Sequence, residues 1–233
     1  MKKLHRLLIL LCTLLVVLVV IFFNIWLHQP GVLPIKQVKI AGSYQFVGNK
    51  AIKKALLPFV TKGFFSIPIG NAQRALEALP GVKVAIIRRV WPSTILIRLT
   101  EESVVGTWGN DALLSKSAQV FVPEKTQAWK NLPAFLGKKS KAKQILRHFL
   151  LYQTILEKDH LKIMAINYAD SDSWSLETNK QFWLYLGDNH MTLRLQRFAL
   201  AYPYLIADQP TKQLSYVDLR YQHGFSVKWI NPG

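Results

Sequence analysis

The chain has 233 residues, half of them hydrophobic, with 30 Lys and Arg against 13 Asp and Glu and a formal charge of +17. That much apolar content excludes a disordered tail and is enough to pack one ordinary domain or two small ones. The only cysteine is Cys12, which excludes a disulfide-dense secreted scaffold and leaves the body of the chain without a thiol ligand or nucleophile.

Residues 7–27 carry no charged side chain, and only Thr13 and Asn24 bring hydrogen-bonding groups into the run. At a rise of about 1.5 Å per residue, such a run crosses a hydrocarbon core of about 30 Å as a helix. A helix is the form that satisfies its own backbone in lipid. A cleaved secretory signal has a shorter apolar region and ends at paired small residues. Here Trp26-Leu27-His28-Gln29-Pro30-Gly31 offers no such pair, and Trp26 is an interfacial anchor residue. The run has no polar face, which argues against a core helix. Lys2, Lys3 and Arg6 precede it and Lys36 and Lys39 follow closely, so the charge bias is slight. Only residues 1–6 lie before the span, and long C-terminal domains translocate largely regardless of charge. The expectation is a cytoplasmic amino terminus (1–6), a signal anchor (7–27), a linker (28–34) and an extracytoplasmic body.

A charge of +17 raises nucleic acid as a partner. The basic residues are scattered, however, as Lys53-Lys54, Arg88-Arg89, Lys138-Lys139 with Lys141 and Lys143, and Arg194 with Arg197. They form no long basic helix and no recognised nucleic-acid motif, and they read as solvated faces. Their sum can still attract anionic lipid headgroups or an acidic partner.

After the linker, Ile35-Lys36-Gln37-Val38-Lys39-Ile40 alternates as a half-buried strand does, and Gly42 ends it. Asn49 is placed to cap a helix running to Leu57, with Pro58 as its stop. A second short helix from about Gly70 puts Ala72, Ala75, Leu76 and Leu79 at helical spacing and ends at Pro80-Gly81. Strands at 82–90 and 94–100 follow, joined across Trp91-Pro92-Ser93. Strand, helix, helix, strand, strand lets two helices cover one face of a three-stranded sheet.

The motif Leu79-Pro80-Gly81-Val82, the turn Arg88-Arg89-Val90-Trp91-Pro92, and Leu96-Ile97-Arg98-Leu99 with Glu101-Glu102 resemble the POTRA segment of the FtsQ/DivIB family of bacterial cell-division proteins. Trp91 and Pro92 can equally serve only to shape a hairpin, and Arg88 and Arg89 can be merely solvated.

Beyond Ser103 the pattern is one of short strands, at 104–108, 112–114 and 120–122, with Asn110-Asp111 as a turn. Residues 132–137 form an apolar segment before a helix at about 141–157, whose stripe is Ile145, Leu146, Phe149, Leu150 and Ile155. Strands recur at 163–168, 173–177 and 182–186. A helix at about 192–207 is expected to turn Leu193, Phe198, Leu200 and Leu205 inward, with Pro203 placed to kink it. The last segment reads as a hairpin: Tyr216-Val217-Asp218-Leu219-Arg220-Tyr221, the turn Gln222-His223-Gly224, then Phe225-Ser226-Val227-Lys228-Trp229. Gly224 would supply the backbone freedom of the turn. The chain ends four residues past Trp229, which leaves little to cover a final strand. At a sheet edge that strand would expose unpaired donors and acceptors guarded only by Lys228, a rail for another protein's strand. The bland alternative makes Tyr221 and Trp229 core aromatics on a short edge.

Tyr-Val-Asp-Leu-Arg-Tyr with the turn Gly and terminal Trp is similar to the close of the beta domain in the same family. Asp172-Ser173-Trp174-Ser175-Leu176 and Leu195-Gln196-Arg197-Phe198 through Tyr202-Pro203 are similar too, so the resemblance covers nearly the whole chain. It implies an α+β protein with a POTRA domain at 35–102 and a beta domain at 103–233. It further implies a bitopic inner-membrane protein whose periplasmic domains link early and late divisome components at the septum. In that picture the last strand pairs with FtsB in a complex with FtsL. The implied contacts are Tyr221 and Trp229 as apolar anchors, Gly224 at the turn and Arg220 as ion-pair donor to an acidic partner residue. Phe225, Ser226, Val227, Lys228 and Trp229 would supply the backbone ladder, and Arg88 and Arg89 mark a second candidate surface. Gln222-His223 and Phe225-Ser226 fall where family members vary, and the expectation is a chain with almost no cytoplasmic tail and no C-terminal extension.

No catalytic signature competes with this reading. The histidines at 5, 28, 148, 160, 190 and 223 have no metal-ligand spacing, and no nucleophile elbow, P-loop or dinucleotide fingerprint occurs. Glu101 and Glu102 point to opposite faces if they lie on a strand. The expectation is a protein without enzymatic activity and without cofactor or metal. Two other readings stay in view: a POTRA-bearing secretion or assembly factor, which would carry several POTRA copies or a membrane barrel, and a membrane-anchored nucleic-acid binder with a cytoplasmic body.

Overall fold

In the computed structural model the described residues are 2–27, 32–42, 44–124, 129 and 131–231. Helix α1 (Lys2–Leu27) takes in the uncharged run and also the basic residues just before it. Its Ile9–Trp26 stretch has a mean hydropathy of 2.9 and buries nothing against the rest of the protein, so it is long and apolar enough to cross a membrane. Of the expected linker, residues 28–31 lie outside the described residues. The chain divides into two compact units, Met1–Glu101 and Glu102–Gly233.

In the first unit, β1 (Gln37–Ala41), β2 (Val82–Val90) and β3 (Thr94–Glu101) form a sheet in the order β1-β3-β2. β1 runs parallel to β3, and β2 runs antiparallel to it. Helices α2 (Asn49–Val60) and α3 (Ile69–Glu77) cover one face. Ile52, Leu56, Ala72 and Leu76 from the helices bury against Ala85, Ile87, Ile95, Ile97 and Leu99 of the sheet. Two local expectations fail here. α2 runs through Pro58 to Val60, because Phe59 and Val60 pack on the core and hold the last turn where the proline costs one helical bond. Its N-cap is Gly48, with no side-chain cap bond, and Asn49 instead accepts a hydrogen bond from the Tyr44 hydroxyl. Glu101 closes the unit: its carboxylate accepts the N–H groups of Gln45 (2.6 Å), Phe46 (2.7 Å) and Val47 (3.1 Å), fixing the approach to α2.

The second unit contains β4 (Val104–Trp108), β5 (Ala112–Ser115), β6 (Val120–Phe121), β7 (Ala134–Leu136), β8 (Ile163–Tyr168), β9 (Trp174–Thr178), β10 (Trp183–Gly187), β11 (Gln213–Asp218) and β12 (Ser226–Ile230). They form one mixed sheet in the order β12-β11-β10-β9-β8-β7-β4-β5-β6. β4–β7, β7–β8 and β10–β11 are parallel neighbours, and the last two pairs, consecutive in the chain, require crossovers. Helices α4 (Ala142–Leu156) and α5 (Met191–Asp208) supply them and pack side by side. β7 lies in what reads in the sequence only as an apolar segment. It fits because Gly106 of β4 lets the backbones close in: a Cβ there would lie 2.2 Å from the Pro133 carbonyl oxygen.

The helix faces are also corrected. In α4 the buried stripe is Ile145, Leu146, Phe149, Tyr152 and Leu156, whereas Leu150 is 56% exposed. In α5 Leu195 and Phe198 are buried, and Leu193 and Leu200 are 65% and 77% exposed. The reason is geometric: with 3.6 residues per turn, positions two apart lie about 200° around the axis, so burying Leu195 and Phe198 turns Leu193 and Leu200 outward. Phe198 fixes that phase by meeting the rings of Phe182 and Phe225, each at 6.2 Å.

Candidate partner-docking edge

β12 is terminal in the sheet order and pairs antiparallel with β11 alone. Among the described residues no strand pairs with its outer side, so alternate N–H and C=O groups point away from the sheet. Its side chains alternate as well. Val227 and Trp229 are half-buried and, with Phe225 just before the strand, pack against the core of the unit, whereas Ser226, Lys228 and Ile230 are exposed. On the exposed face Lys228 lies across from Tyr216 and holds its ammonium 5.7 Å from that ring, which meets Tyr185 edge-on at 5.7 Å. The edge thus has an apolar lip on one face and a cation over aromatics on the other.

The approach to β12 differs from the expected tight hairpin. β11 covers Gln213–Asp218 and not 216–221, because Leu214 and Val217 are its inward residues and Trp183 of β10 stands across from Tyr216 in parallel register. The connection is therefore the seven residues 219–225. Gly224 has no positive φ and a Cβ there would meet no atom within 4 Å, so a longer loop replaces the turn that would have needed glycine there. Tyr221 sits in the connection with 55% of its surface exposed.

Arg220 is already partnered within its own chain. Its guanidinium donates to both oxygens of Asp218, with Nη2 at 2.6 Å from Oδ2 and Nε at 2.9 Å from Oδ1. The Arg220 hydrogen bonds hold the mostly buried Asp218 carboxyl below its ordinary pKa. The same pairing raises that of Arg220, whose side chain remains 60% exposed. Sequence reasoning missed Arg197 entirely as a contributor to this region. It reaches from α5 to the carbonyls of the connection, and no spacing in the sequence relates positions 197 and 221–224.

The two arginines of the first unit part company. Arg88 is exposed and lies across from Leu96 on the open face of the sheet. Arg89, one residue on, points to the helix side, where its guanidinium donates to the carbonyls of Phe64 (2.8 Å), Phe65 (3.0 Å) and Ile67 (3.0 Å). That engagement ties Arg89 to the loop between α2 and α3.

In the second unit His148 stacks on Tyr152 at 5.4 Å and meets Trp174 edge-on at 4.5 Å. Burial holds His148 below its ordinary pKa, and burial pushes the Tyr152 hydroxyl up to about 12. Tyr152 is a core residue, and His148 is half-buried beside it. Among the described residues no three His, Cys, Asp or Glu side chains gather as metal ligands do.

Residues 33–102 match the model of an FtsQ-type POTRA domain, and residues 106–220 match that of the C-terminal region of the cell division protein FtsQ/DivIB. The chain is 31% identical over 204 residues to a cell division protein FtsQ from Shewanella oneidensis, covering 88% of this chain and 77% of that protein. It is 28% identical to the proteins of that name from Coxiella burnetii, over 89% of this chain and 85% of theirs, and from Neisseria meningitidis serogroup B, over 90% and 88%. The matched C-terminal segment stops at residue 220, so β12 and its approach are read from geometry.

Proposed function

The chain belongs to the FtsQ/DivIB family of cell-division proteins, and from that premise we propose that it is a non-enzymatic divisome scaffold that binds FtsB, with FtsL, by strand addition to β12. Membership gives a role in cell division through protein–protein contacts, and α1 gives a single apolar helix suited to anchoring in a membrane. Within the proposal the amino terminus is cytoplasmic and residues 35–102 and 103–233 are periplasmic POTRA and beta domains of an inner-membrane protein at the septum. The single observation that carries the binding mode is the terminal position of β12. A sheet of nine strands ends there in five residues whose outer backbone groups have no strand to pair with among the described residues. Phe225, Val227 and Trp229 give the added strand an apolar neighbour on one face, and Lys228 gives it a cation on the other.

Proline substitution tests the mode directly, since proline removes an N–H and is tolerated where that group faces away from the sheet. Of Val227→Pro and Lys228→Pro, one removes an outward N–H and the other an inward one. The expected result, for full-length chain in lipid nanodiscs titrated with an FtsB–FtsL complex, is that the outward variant melts as wild type and loses binding. Wild-type affinity in the variant that folds normally would overturn strand addition.

A further inference from the structure

We propose that Arg197 is a positioning residue that holds the 219–225 connection, and with it the start of β12, in the form a partner strand docks to. The inference rests on β12 being the docking edge. Arg197 stands on α5, in the middle of the helix, and its guanidinium gathers three carbonyl oxygens of one loop: Nη1 donates to Gln222 at 2.9 Å, and Nη2 to Tyr221 and Gly224 at 3.2 Å each. A planar fork of charged donors is suited to collecting several acceptors at once, which a single ammonium does less well.

The loop has little else to hold it. Outside the strand ladder, the one backbone–backbone hydrogen bond found for the connection among the described residues is Leu219 N–H to Tyr185, at its first residue. Leu219 is buried and Arg220 is tied to Asp218, so the conformational freedom left in the connection is that of residues 221–224. α5 removes it at two adjacent positions. Arg197 takes the carbonyls of residues 221, 222 and 224, and Phe198, the next residue, packs edge-on against the ring of Phe225 at 6.2 Å. The outcome is that Tyr221, more than half exposed, is presented from a fixed backbone in the connection that leads into the edge strand. Arg197 performs this without itself facing a partner, because its Nη donors are spent on the loop.

A positioning role and a contact role separate in kinetics. When only a fraction of molecules is competent to bind, apparent affinity falls by that fraction. The loss then appears in association, while a lost contact appears in dissociation. The experiment compares wild type, Arg197→Met, Arg197→Lys and the folded proline variant of β12, each as full-length chain in nanodiscs, for association and dissociation with an FtsB–FtsL complex. Amide exchange is followed alongside. Arg197→Met keeps the stem and removes the donors. It is expected to associate about tenfold more slowly, corresponding to a competent fraction of about one-tenth, and to dissociate within about twofold of wild type. Amides of 219–225 should exchange faster while those of α4 and β8 do not change. Arg197→Lys, with a compact ammonium able to reach part of the loop, should fall between the two and decides the matter if the Met variant does not fold. Wild-type kinetics in the Arg197 variants, with binding lost in the proline variant, would overturn the positioning role and leave the docking edge standing. Faster dissociation at unchanged association would make Arg197 a contact and overturn it as well. Wild-type binding by the proline variant would remove the docking edge and the inference with it.

Discussion

Truncation of Tyr221 separates an exposed docking anchor from a core aromatic with a number attached. A tyrosine offers about 200 Å² of burial, and Tyr221 leaves 55% of its surface open, so about 110 Å² is available to a partner. At about 25 cal/mol/Å² that area is worth about 2.7 kcal/mol when wholly covered, and half that when a partner covers half of it. Tyr221→Ala should therefore weaken binding of an FtsB–FtsL complex between about tenfold and about a hundredfold. Folding should change little, because Tyr221 is absent from the buried cluster of its unit and lies in a connection. Trp229 is the control of opposite character. It packs against that cluster, so Trp229→Ala should lower the melting temperature as well as binding. The assay is titration of the full-length chain in nanodiscs, with tryptophan-fluorescence melting of each variant. A folded Tyr221→Ala that binds within about threefold of wild type would refute the reasoning, because the exposed area would then meet no partner.

Two further tests probe the frame around that edge. Gly106→Ala should lower stability by about 1–3 kcal/mol or more, because its Cβ would fall 2.2 Å from the Pro133 carbonyl oxygen and 2.4 Å from the Phe135 ring. Gly224→Ala should change it by no more than about 0.5 kcal/mol, since a Cβ there would meet no atom within 4 Å and its φ is not positive; denaturant melts of the pair check both. The pH dependence of melting tests His148, which burial, and after it the neighbouring Arg147, holds below the ordinary value of 6.5. The unfolded chain then takes up the proton first. The contribution of a neutral His148 is thus present above about pH 6.5 and lost as pH falls towards the lower folded value. His148→Leu should flatten that slope, and an unchanged slope would place the acid sensitivity elsewhere.

Much of the fold is legible because it is written in local periodicity. Alternation gives β2, β4 and β8 with their boundaries, and helical spacing with flanking breakers gives α3 and α4. The failures come where a distant group overrides a local rule. Pro58 reads as a stop, yet α2 continues because Phe59 and Val60 find a core made by the sheet. Three residues of β7 are too few to show a period, and their pairing depends on a glycine some thirty residues earlier. Leu193 and Leu200 satisfy a helical pattern as well as Leu195 and Phe198 do. Only the aromatic neighbours of Phe198 decide which pair turns in.

The candidate site divides along the same line. Alternation along 225–229 reveals a strand with one apolar face, and that much is local. Whether the strand is an edge depends on the order of nine strands, which no window of sequence contains. Arg220 shows the difficulty at one residue: beside Tyr221 it looks like a cation offered outward, but two positions back along the chain Asp218 has already met it. In the proposed docking mode, the charge left for an acidic partner residue is therefore Lys228, the one cation of the edge strand, exposed across from Tyr216. Complementarity at this edge is then a matter of strand parity. A partner strand that puts acidic residues beside Lys228 must put its apolar residues beside Val227 and Trp229, and a slip of one residue would exchange the two faces.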